Sequence, residues 1–60
     1  MDRVLYVNFR LRRAMEDRRA SIEAYYNALR ANAPLQVLAE LQAWCLDTDA
    51  RLSQEVSEAV

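Results

Sequence analysis

Cys45 is the one strong nucleophile in the sequence, and nothing beside it supports chemistry. A reactive thiol needs a neighbouring cation, an imidazole or a helix N-terminus to hold it as thiolate. Here Trp44 and Leu46 flank it, and the 60 residues include no histidine. A single cysteine without histidine also lacks the usual ligands of a zinc site and cannot close an intramolecular disulfide. Phosphate cradles and dinucleotide fingerprints require glycine for close backbone approach, and the chain has none. Nine carboxylates remain. Helical spacing puts each of them on a face expected to be solvated, so no acid/base pair is set apart from water. We therefore expect no catalytic, cofactor or metal residues and no small-molecule substrate.

The chemistry that the residues do offer is recognition. All eight basic residues are arginine, and Arg10, Arg12 and Arg13 crowd a segment that also holds Leu5, Tyr6 and Phe9. Aromatic residues and arginine are enriched at interface hot spots, and Trp44 is the best single candidate for a partner-binding anchor. We take Leu5, Tyr6, Phe9, Trp44, Arg10, Arg12 and Arg13 as the candidate partner-binding residues. Charge is unevenly divided. The segment through Ala33 carries seven arginines against four carboxylates, for a net of +3, and the remainder one against five, for −4. Arg10, Arg12, Arg13, Arg18 and Arg19 are scattered around the helix and several have acidic neighbours within a turn. They suit a complement to an acidic helix better than a phosphate-binding face. Nucleic acid is thus the less favoured partner.

Periodicity supplies the elements that must carry these residues. Val4, Val7, Leu11, Ala14, Met15, Ile22, Tyr25, Tyr26 and Leu29 recur at steps of three and four, which predicts a helix over residues 3–31. Asp2 is available to cap it. Arg12 with Glu16, Arg13 with Asp17 and Arg19 with Glu23 stand at ion-pair spacing along it. Pro34 is the only strong breaker, and Asn32 tolerates a left-handed conformation, so residues 32–34 should form a turn. Leu38, Leu41, Cys45, Thr48, Leu52, Val56 and Ala59 predict a second helix over 35–58. Asp47, Thr48 and Asp49 are weak helix formers that could interrupt it. Two long helices joined by a short turn make an all-α antiparallel hairpin, a single domain spanning residues 1–60. Arg18 falls within the apolar stripe, where it should either pair with Asp49 or Glu55 of a second arm or extend its stem so that the charge reaches water.

Three resemblances accompany this reading. Residues 4–9 alternate acceptably as a strand, and in that form the segment resembles the ribbon-helix-helix repressors. That likeness implies DNA reading by Tyr6, Asn8 and Arg10 from a paired ribbon. The hairpin outline is similar to plasmid RNA-binding hairpins that dimerise into four-helix bundles, which would imply RNA as a ligand. Pro34 followed by Leu38-Ala39-Glu40-Leu41-Gln42 looks like the stretch after the turn in needle subunits of type III secretion systems, which implies a helical filament assembly.

Size selects among these expectations. A lone 60-residue chain buries only about 60% of its unfolded surface, and chains this small recruit a cross-link, a metal or a partner. With no cross-link and no metal expected, the partner is another chain. We expect a homodimer in the form of a four-helix bundle, with Leu11, Met15, Ile22, Leu29, Leu38, Leu41, Cys45, Leu52 and Val56 as its buried stripe. The chain would act as a regulator, adaptor or inhibitor of bacterial or phage origin by occupying a partner protein. No run approaches the roughly 18 apolar residues of a membrane span, and the N-terminal segment is too interrupted for a signal peptide, so a cytoplasmic location is expected.

Overall fold

A computed structural model describes the backbone of residues 3–59 and the side chains of residues 6–59. Its two helices, α1 (Arg3–Arg30) and α2 (Leu35–Ala59), form an antiparallel hairpin. The molecule measures 47 × 14 × 11 Å. No strand occurs among the described residues, and the alternation seen at residues 4–9 resolves as the first two turns of α1. A paired ribbon at that segment is therefore excluded. Alanine, leucine, arginine and glutamate dominate α1, and all hold helical backbone at little entropic cost. The Asp2 cap expected from the sequence lies outside the described residues.

The turn is set by a backbone device. Asn32 adopts φ 57°, Ala33 N–H donates to Ala28 C=O at 3.0 Å and Asn32 N–H to Leu29 C=O at 3.1 Å. This is a Schellman ending, which satisfies carbonyls that the last helical turn would leave without a donor. Asparagine fills the left-handed position in a chain with no glycine. Arg30 lies in the last turn, where a cation complements the helix dipole, and its guanidinium also donates to Asn27. Pro34 then opens α2 by accepting the first helical hydrogen bond, from Leu38 N–H at 3.1 Å. The interruption considered near Asp47–Asp49 does not occur, and α2 runs through all three residues. Thr48 faces α1 there, and packing between helices outweighs the weak propensity of the segment.

Packing between the helices uses part of the expected stripe. Among the described residues, Ser21 and Thr48 are fully buried and Ala14 and Glu55 nearly so. On α1 the seam follows Val7, Ala14, Ser21 and Ala28 at seven-residue steps, all buried or half-buried. On α2 it follows Leu38, Leu41, Cys45, Thr48, Leu52 and Glu55, alternating steps of three and four in the coiled-coil manner. None of the nine stripe residues named from the sequence is fully buried. Met15, Leu29 and Val56 are exposed, and the other six are half-buried. The large apolar residues Met15, Ile22 and Leu29 of α1 each follow a member of its small-residue column by one position, about 100° round the helix, and so lie to one side of the closest contact with α2.

Candidate functional site

Hydroxyl groups occupy the middle of the seam. Ser21 Oγ and Thr48 Oγ1 lie 2.8 Å apart, Ser21 Oγ is 2.7 Å from Arg18 C=O, and Thr48 Oγ1 is 3.0 Å from Cys45 C=O. Two hydroxyl protons serve these three contacts, so one contact is always without a hydrogen. Cys45 completes the group by donating from Sγ to Ser21 C=O at 3.3 Å. The thiol is thus a half-buried packing group engaged with backbone.

At the open end of the hairpin, Arg10 reaches across the seam to Glu55 at 2.6 Å and to Glu58 at 3.7 Å. Its guanidinium also lies 5.6 Å from the centre of the Tyr6 ring. The Glu55 hydrogen bond, reinforced by the Glu55 charge, holds Arg10 above its ordinary pKa. A cation whose pKa is raised on folding contributes stability that is fully present below its ordinary value as long as the carboxylate that raises it stays charged, and that is lost only in strong alkali. Glu55 corrects the expectation that every carboxylate is solvated: it is buried and ion-paired.

The two flanks of the hairpin differ. On one, a groove of about 350 Å³ is lined by Met15, Arg18, Arg19, Ile22, Glu23 and Leu52. Of the two partners that the sequence offered Arg18, the structure selects Asp49, at 3.0 Å. Tyr26 continues this flank beside Ile22. One or two turns onward, helical spacing adds Leu29 from α1, and Val56, Cys45 and Leu38 from α2. Met15 and Tyr26 are each 55% exposed and Val56 46%. The opposite flank carries a depression lined by Phe9, Arg10, Arg13, Ala14, Asp17, Arg51 and Glu55. Phe9 is 65% exposed and Tyr6 60%. Trp44 stands two turns before Arg51 on α2 and so shares that flank, yet it lies about 20 Å along the axis from Phe9 at 1.5 Å per residue. The structure therefore groups Tyr6, Phe9, Arg10 and Arg13 and leaves Trp44 apart. Arg12 is exposed. The side chain of Leu5 lies outside the described residues.

Most arginines already have acidic partners. Besides Arg10 and Arg18, Arg13 meets Asp17 at 3.5 Å, Arg19 meets Glu23 at 3.7 Å and Arg51 meets Asp47 at 3.0 Å. The expected Arg12–Glu16 pair does not form among the described residues. No three metal-ligating side chains converge among them either. No helix there is long and apolar enough to cross a membrane.

No family model, curated protein or solved structure matches the chain. The functional reading rests on the hairpin's own surface.

The accessible surface is 4860 Å², whereas a compact monomer of this mass would expose roughly 4,000 Å². The excess is close to the roughly 800 Å² that each partner contributes to an interface of standard size. The sequence reading missed Ser21 and Glu55, two of the four most buried residues. Their signal was spacing: Ser21 continues the Ala14 column by seven, and Glu55 continues the alternating steps of α2 after Leu52.

Proposed function

We propose that the chain is a non-enzymatic helical interaction module of the cytoplasm. It self-associates through the Met15–Ile22–Leu52 flank into a four-helix bundle and acts as a regulator, adaptor or inhibitor of another protein. The observation that carries this reading is an inversion of size. The small and hydroxyl-bearing residues Ala14, Ser21 and Thr48 sit between the helices, while Met15, Tyr26, Leu29 and Val56 remain in water. A chain that had to be stable alone would place its largest apolar groups in the seam, where each contributes about 1.5–3 kcal/mol. Placed on the flank, they stabilise only when a further surface covers them. The opposite flank, with Tyr6, Phe9 and Arg10, then stays open to the regulated protein.

A self-associating fold reveals itself by mass action: its melting temperature rises with protein concentration. We expect such a rise for the native chain and its loss in Ile22→Glu, which places a charge in the covered flank. A melting temperature independent of concentration, unchanged by Ile22→Glu, would overturn the proposal. Phe9→Ala should leave self-association unchanged and weaken capture of the regulated protein. The nucleic-acid reading draws less support, because five arginines are already ion-paired within the chain. It would regain ground if the protein bound RNA with an affinity falling steeply with salt.

A further inference from the structure

We infer that the second copy docks with its turn at the same end as the first, so that α1 of each chain lies on α2 of the other. This inference rests on the proposed self-association and specifies its geometry. Two hairpins stacked flank to flank around a two-fold axis have two arrangements. If the axis runs along the bundle, the turns lie together and α1 meets α2. If it runs across the bundle, the turns lie apart, α1 meets α1 and α2 meets α2. Every helix has antiparallel neighbours in both, so helix dipoles do not choose between them.

Charge chooses. Arg18 and Asp49 project on the covered flank, 3.0 Å apart and so at the same level of the hairpin. That level is close to the middle of the length over which α1 and α2 overlap. An axis along the bundle preserves levels, so Arg18 comes to lie over the partner's Asp49 and Asp49 over the partner's Arg18. Four charges of alternating sign then close a ring at mid-height. An axis across the bundle passes near the same level and brings Arg18 beside the partner's Arg18, and Asp49 beside the partner's Asp49. Like charges drawn together at an interface being emptied of water are strongly disfavoured. The halves of the chain repeat the choice on a larger scale. The half containing α1 has a net charge of +3 and the half containing α2 a net of −4, so stacking unlike helices attracts and stacking like helices repels.

The apolar residues fit the same arrangement. Counting equal steps outward from Arg18 and Asp49 pairs Met15 with Leu52 and Leu11 with Val56 toward the open end. Toward the turn it pairs Ile22 with Cys45 and Leu29 with Leu38. With the turns together, each pair meets its own copy across the interface and forms a four-residue apolar layer. The ring of charge lies between the second and third layers.

Two measurements separate the possibilities. The first is the distance between nitroxide labels on Ala31→Cys in a Cys45→Ala background, read by pulsed electron paramagnetic resonance. Turns together predict a separation below about 25 Å, since packed helices are 8–10 Å apart. A separation of about 40 Å, twice the roughly 20 Å that 1.5 Å per residue puts between Arg18 and Ala31, would overturn the inference and leave self-association standing. A monomeric native chain would overturn both. The second is the dimer dissociation constant of the double variant Arg18→Gln/Asp49→Asn, which keeps the shape of both side chains and removes both charges. With the turns together, this constant rises about tenfold at low salt, and most of the difference disappears at 1 M salt. With the turns apart, the same variant relieves repulsion and binds more tightly, which would contradict the inference.

Discussion

Ser21 and Thr48 show how little separates a satisfied polar seam from a costly one. Each hydroxyl has a backbone carbonyl in reach as well as its partner across the helices. Removing one hydroxyl therefore leaves the other with a backbone partner. Ser21→Ala and Thr48→Val should each cost about 1 kcal/mol of stability by urea denaturation, with the double variant costing less than the sum. Arg10 and Glu55 behave differently, because Glu55 is buried and depends on a partner from the other helix. Arg10→Met should lower the urea midpoint, and adding Glu55→Met should restore most of it, since the uncompensated charge is then gone. If the double variant is no more stable than Arg10→Met alone, Glu55 does not depend on Arg10 for its burial.

The turn makes the element scale testable. Asn32 holds a positive φ that only glycine adopts without strain. Asn32→Val should cost about 1–2 kcal/mol and Asn32→Gly should be neutral or stabilising, as measured by the same denaturation. The turn and both helices were legible in the sequence because Pro34, Asn32 and the spacing of apolar residues all act locally. The continuity of α2 through Asp47, Thr48 and Asp49 was less legible, for it depends on Thr48 meeting Ser21 on another helix. The partner of Arg18 was legible as a pair of alternatives, which the register of the hairpin reduced to Asp49. The seam was legible on α2, where Leu38, Leu41, Cys45 and Leu52 lie in it, and less so on α1. Periodicity reports where large apolar residues lie, whereas the contact between the helices follows Ala14, Ser21 and Ala28, whose small side chains let the backbones approach.

At the scale of the whole molecule, the exposed part of the apolar stripe carries the proposed function. The stripe of large residues is present, and one hairpin leaves Met15, Leu29 and Val56 of it exposed. The polarity of charge between the halves was legible from residue types alone, and the ion pair Arg18–Asp49 is one place where the two halves meet. In the proposed assembly the flank bearing Tyr6 and Phe9 stays exposed, as it is in the single hairpin. Sedimentation equilibrium at micromolar concentrations tests the central claim most directly. The account predicts a species of twice the 7.0 kDa chain mass, reduced to the chain mass by Ile22→Glu. A folded native chain that sediments as a 7.0 kDa monomer up to about 100 µM, far above the micromolar constants typical of weak specific complexes, would contradict it.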